Sequence, residues 1–176
     1  MIRVFSYRPE YFNNNGDQGN LEALRHFLKA DISYSQIDQA DFVLVGDASR
    51  AAMREFNAEL LALVPFLQAR LDNGSPTLIV GSSYEFFAPL LSGVPSLSYG
   101  ERSSEFRTAE SAGIKVKGYR NTELVSPDLF IAGAFVMTTM YGPVLAKNPQ
   151  LLKLVAGSLG LQVQISQREL EWIEKL

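Results

Sequence analysis

The sequence predicts an α/β fold in which a mostly parallel sheet lies between helices on both faces, a three-layer arrangement formed by residues 1 to 176 as a single domain. Two patterns carry this reading. Continuous apolar runs such as FVLV (residues 42 to 45) and LFIAGAFVM (129 to 137) read as strands buried on both sides, as strands of parallel sheets are. Between such runs lie segments with apolar residues at helical spacing, and strands that alternate with helices build a sheet covered by its own crossovers. With 176 residues, 47% of them hydrophobic, the chain can bury one sizeable core.

Ile2 to Ser6 is the first apolar strand, followed by an Asn-rich loop over residues 9 to 16. Leu21, Leu24, Phe27 and Leu28 then recur at helical spacing, with Asp17 placed to cap the helix start. ISYS (32 to 35) is a short second strand, and residues 41 to 46 form a stronger one closed by glycine. Residues 50 to 72 carry a long helical pattern with an interruption expected near Pro65, because proline removes a helical hydrogen bond. The NGSP turn (73 to 76) leads into a strand over residues 77 to 80, a tight turn, and a helix ending before Gly93 and Pro95. GIKVKGY (113 to 119) alternates like an exposed strand, and 129 to 137 reads as one buried strand. Helices around 148 to 159 and 166 to 175 close the chain.

Composition removes several function classes. A net charge of −3 and the lack of any basic run interleaved with aromatics argue against a nucleic-acid partner. Cysteine is absent, which excludes disulfides, thiolate metal sites and cysteine nucleophiles. The lone histidine, His26, is the only imidazole for a metal site or a catalytic relay, so no metal site is expected. MIRVFSYRPE lacks the pattern of a signal peptide, and no apolar run approaches the roughly 20 residues of a membrane span. The expectation is a soluble, cytoplasmic protein.

Ligands of open α/β sheets bind beyond the carboxyl ends of the strands, which selects four loops. NNNGDQGN (13 to 20) reads as a flexible turn and helix cap, or as a binding loop. VGDAS (45 to 49) offers Gly46 and an Asp after a strand. In Gly81-Ser82-Ser83, backbone N–H groups at a helix start could hold an anion, whereas structurally the glycine permits a tight turn and Ser83 caps the helix. MTTMYGPV (137 to 144) ends the last buried strand, and its Tyr141 is either a packing residue or part of a site.

Taken together and in this order, the four segments resemble class I glutamine amidotransferase-like domains of the cobyric acid synthase branch, most of all the glutaminase subunit of lipid II isoglutaminyl synthase. GDQGN followed by LEALRHFL is similar to that subunit's GDxGN motif and helix. ADFVLVGDAS resembles its strand and glycine-rich loop, and DNGSPTLIVGSSYEFF its turn, strand and nucleophile elbow, read ICGGYQF in the family. MTTMYGPVLAKNPQLL resembles its YLHGPILPKN segment.

The resemblance implies a flavodoxin-like, amidotransferase-like fold with no cofactor, and it implies a defect. The family's catalytic cysteine falls on Gly81 and its histidine on Tyr141, while Asp17 matches an aspartate that supports the histidine. Such chemistry needs a nucleophile, a base and oxyanion donors, so the first expectation is a pseudoenzyme that binds or scaffolds. Its partners would be a Mur-ligase-like synthetase, as in peptidoglycan amidation, or a second copy. The alternative is a small-molecule module for an amino acid or carboxylate, lined by Asp17, Gly46, Gly81, Ser82, Ser83, Arg107 and Tyr141. An active hydrolase using Ser82 or Ser83 would need His26 as base, two turns into its helix. FMN binding on the same architecture lacks a phosphate cradle in the first loop.

Overall fold

A computed structural model describes residues 1 to 175. Its strands are β1 (Ile2–Ser6), β2 (Ile32–Tyr34), β3 (Phe42–Val45), β4 (Thr77–Val80), β5 (Ser98–Ser111), β6 (Ile114–Ser126), β7 (Leu129–Ala132) and β8 (Phe135–Thr138). Six of them form one sheet in the order β2-β1-β3-β4-β8-β7, and β5 and β6 pair separately as a long hairpin. Within the larger sheet every pairing is parallel except that of β7 with β8.

Alternate residues of the central strands face opposite sides, as the pleat requires. Val4, Leu44, Val80 and Val136 join Leu24 of α1 (Gly19–Leu28) on one side. Val45, Ile79, Phe135 and Met137 join Ala52 of α2 (Arg50–Glu55) and Leu60 and Leu67 of α3 (Asn57–Asp72) on the other. Phe87 of α4 (Ser82–Phe87) packs on that second side, and α5 (Val144–Lys147), α6 (Pro149–Ser158) and α7 (Gln167–Glu174) complete the first. The central strands are therefore mostly apolar because both faces are covered, and each fully buried leucine contributes roughly 2 kcal/mol.

Four sequence expectations change. The helical pattern of residues 50 to 72 breaks at Phe56, not near Pro65, which lies inside α3. Pro65 is exposed, so water can hydrate the carbonyl its missing N–H leaves free. The expected single strand over 129 to 137 is two, with the chain reversing between β7 and β8 at Gly133, whose φ of 61° suits that residue. The strand expected at 113 to 119 extends to Ser126 and has a partner, β5, that its polar sequence did not reveal. Finally, Asp17 does not cap α1: Gln18 occupies that position and no side chain caps it.

The hairpin is held by a buried charge cluster. Arg120 is 2% exposed and pairs with Asp128, which also accepts from the Thr139 hydroxyl at 2.7 Å and from Arg107 Nη1 at 2.9 Å. Arg120 donates in addition to the Leu124 carbonyl. Burial of these charges is tolerated because each has an oppositely charged neighbour and further hydrogen bonds.

Candidate functional site

The chain passes from β1 outward to β2 and returns to β3 on the far side of β1, so the loops after β1 and β3 diverge beyond their carboxyl ends. The loops after β4 and β8 and the middle of β6 border the same opening. Together they enclose a cavity of about 210 Å³ lined by Asn14, Asp47, Ala48, Arg50, Ser82, Glu85, Arg102, Asn121, Thr122, Glu123 and Tyr141.

Its floor is the turn from β4 into α4. Gly81 has φ 61° and ψ −124°, a combination that side chains resist. A Cβ on Gly81 would stand 2.4 Å from Asp47 Oδ1, so the carboxylate of Asp47 fills the place where a side chain at 81 would begin. That carboxylate is fastened on both oxygens. Oδ1 accepts the Ser82 backbone N–H at 2.8 Å, and Oδ2 accepts the Asn15 side-chain amide at 2.9 Å.

The two serines are equally committed. Ser82 Oγ accepts the Ala48 N–H and donates to the Ala48 carbonyl, each at 3.0 Å. Ser83 Oγ, fully buried, donates to the Gly46 carbonyl at 2.7 Å. Both hydroxyls tie the β4 turn to the β3 loop. Gly46 is required there for another reason: a Cβ would lie 2.0 Å from the Phe12 carbonyl oxygen.

Asp17 lies beneath the cavity, wholly buried, and its Oδ2 accepts the Asp47 N–H at 2.9 Å. Its other oxygen has no hydrogen-bond partner. Burial, and secondarily the nearby charge of Asp47, push the Asp17 carboxyl up to about 7, although the Asp47 N–H pulls it back in part. Its role is to brace the β3 loop from below.

Tyr141 does line the cavity, and its hydroxyl donates to the Asn121 carbonyl at 2.7 Å. Burial, then the charges of Asp47 and Glu85, raise it to about 12, so it stays a neutral phenol at physiological pH. The rim carries two guanidiniums. Arg102 Nε donates to Asn121 Oδ1 at 2.7 Å, and Arg50 stands 3.8 Å from Glu123. Glu85, from the first turn of α4, accepts the Thr122 hydroxyl at 2.5 Å.

Of the residues singled out in the sequence, the fold gathers Asp17, Gly46, Gly81, Ser82, Ser83 and Tyr141 at one corner. It does not bring Arg107, which lies on the hairpin against Asp128 and Glu105 and outside this cavity. His26 is also elsewhere, exposed and 2.7 Å from Glu169 of α7. At Ser82 the backbone of the Gly81 to Ser83 turn does hold a carboxylate, but an internal one, since its N–H serves Asp47. Sequence reading missed Asn15, Glu85, Arg50, Arg102 and Asn121 as lining or bracing residues. Of these only Asn15 and Glu85 stood within segments singled out in the sequence.

Chemically, the cavity offers carboxylates and guanidiniums but neither thiol nor imidazole. No cluster of three metal-ligating side chains occurs among the described residues, and none of their helices is long and apolar enough to cross a membrane. No protein-family model and no curated protein matches this chain. The resemblance to amidotransferase-like domains therefore stands on the four sequence segments.

Proposed function

We propose that the protein is a catalytically degenerate glutamine amidotransferase-like protein, related to the glutaminase subunit of lipid II isoglutaminyl synthase, which lacks glutaminase activity and serves as a binding or scaffold subunit. The convergence of the four motif segments on one corner of a sheet ordered 2-1-3-4-8 supports a flavodoxin-like relative of that class.

One observation carries the loss of activity: the Asp47 carboxylate occupies the position of a nucleophile at 81 and accepts the Ser82 N–H. In a nucleophile elbow the N–H after the nucleophile stabilises the developing oxyanion. A carboxylate bound there withholds that donor and repels the negative charge that must form. Nor does a serine substitute, since both hydroxyls bond to backbone carbonyls and no imidazole lines the cavity. What survives is the scaffold, which in active relatives docks on a Mur-ligase-like synthetase.

The test is a glutaminase assay on the purified protein, alone and with any protein that co-purifies. Glutamate and ammonia release should stay at the blank rate in both. Turnover abolished by Ser82→Ala or Ser83→Ala would overturn the reading, and the absence of any complex in native lysate would count against the scaffold role.

A second reading has its own support. Arg50 and Arg102 line the same cavity as Asp47 and Glu85, a charge pattern suited to an amino acid bound by its carboxylate and its ammonium. Thermal-shift measurements with amino acids at millimolar concentration should then raise the melting temperature, and an Arg102→Ala variant should lose that rise.

A further inference from the structure

The edge of β5 is the least explained surface of the molecule. It is a 14-residue strand, exposed along nearly all its length, and its only strand partner is β6. From Ser103 to Ser111 the ladder with β6 is regular, and the register shifts are confined to its first residues. No proline or lysine interrupts those residues. Edges without such devices invite another strand.

The hairpin turn fixes which backbone groups are open. Ala112 and Gly113 both have positive φ (51° and 75°), a two-residue turn of the mirror-image kind that joins Ser111 and Ile114 as a hydrogen-bonded pair. Hydrogen-bonded and non-bonded pairs alternate from there. The even-numbered residues Ser104, Phe106, Thr108 and Glu110 thus direct N–H and C=O away from β6, and outside the ladder no β5 backbone group bonds to other backbone. Phe106, at the middle of this row, is 70% exposed, with its ring 5.4 Å from that of Tyr119.

We infer that this edge binds the same edge of a second copy, antiparallel, with Phe106 on the two-fold axis. An isologous contact must be self-complementary. In this register Phe106 meets Phe106 and Ser104 meets Thr108 on one face, and Glu105 meets Arg107 on the other. Only even-numbered residues can exchange hydrogen bonds, so the two adjacent registers place either Glu105 opposite Glu105 or Arg107 opposite Arg107. Those neighbours are like-charge pairs, which strands disfavour. The inferred register closes about six main-chain hydrogen bonds and joins two hairpins into one four-stranded sheet.

The chain has no cysteine, so an introduced thiol is unique. In a hydrogen-bonded antiparallel pair the Cα atoms lie about 5.5 Å apart, within disulfide range. Under mild oxidation Phe106→Cys should form a disulfide-linked dimer. Ser104→Cys and Thr108→Cys should each remain monomeric on denaturing gels, because each residue lies roughly 13 Å from its own copy, while the double variant carrying both should cross-link. By sedimentation velocity the unmodified protein should show a concentration-dependent dimer, weakened about tenfold by Glu105→Lys, which sets like charges opposite Arg107. A protein that remains monomeric at about 1 mM overturns the inference, since self-pairing that weak would lie below any specific affinity. Cross-linking through Ser104→Cys alone, with none through Phe106→Cys, overturns the register.

Discussion

The corner above β4 and the edge of β5 both carry backbone groups that the sheets leave unpaired, and the molecule treats them in opposite ways. At the corner its own side chains take several of them: Asp47 holds the Ser82 N–H, Ser82 holds both polar groups of Ala48, and Ser83 holds the Gly46 carbonyl. Along β5 nothing from the chain does the same. The turn is satisfied from within the chain, while the edge is left open. The contrast teaches that unpaired backbone is consumed internally at the carboxyl end of the sheet and left available on the hairpin.

The largest effect that would break this comparison comes from removing the hairpin's anchor. Asp128→Ala leaves Arg120 buried without its partner, for which a loss of about 3–5 kcal/mol in unfolding free energy is expected by denaturant titration. If the edge of β5 is the self-association surface, the same variant should also lose the dimer, because the hairpin no longer holds its position over the sheet.

Next in size is Gly81→Ala. The added carbon lies 2.4 Å from Asp47 Oδ1 and the backbone is in a region unsuited to alanine, so a loss of roughly 2–4 kcal/mol is expected. Asp47→Ala in the same chain should recover only the steric part of it. Full additivity of the two substitutions in a double-mutant cycle would show that Asp47 does not fill the position at 81.

Asp17 sharpens the comparison through pH. Its carboxyl is raised to about 7 by burial, above the ordinary 3.8, so the folded protein holds a proton that the unfolded chain releases. Its contribution to stability therefore falls as pH rises from about 4 to about 7 and is constant above, by up to roughly 4 kcal/mol. Asp17→Asn keeps an acceptor for the Asp47 N–H but cannot ionise. The variant should gain stability over the natural protein between pH 5 and pH 8, measured as the difference in melting temperature. A difference that does not change with pH would place the titration elsewhere.

Much of the main sheet was legible in the sequence because strands buried on both faces read as near-continuous apolar runs. Phe42–Val45 and Thr77–Val80 show this, and the following loops named themselves through glycine and small polar residues. The hairpin was not legible on its β5 side. SYGERSSEFRTAES is exposed almost throughout, so it carries no alternation of apolar and polar residues from which a strand could be read. The break at Phe56 escaped notice for the converse reason: the apolar period continues across it.

By itself the sequence determined the alternation of strands and helices, the absence of thiol chemistry, and the placement of glycine where a nucleophile would stand in the family it resembles. Only the tertiary structure decided that Asp47, 34 positions earlier in the chain than Gly81, fills that gap, and that Asp17 braces it from below while Arg107 is held away on the hairpin. The reason is physical. Periodicity and residue type are properties of a short segment, whereas the partner of a backbone N–H at a sheet's edge is chosen by where a distant loop comes to rest, and one carboxylate a few ångströms away settles which chemistry is open.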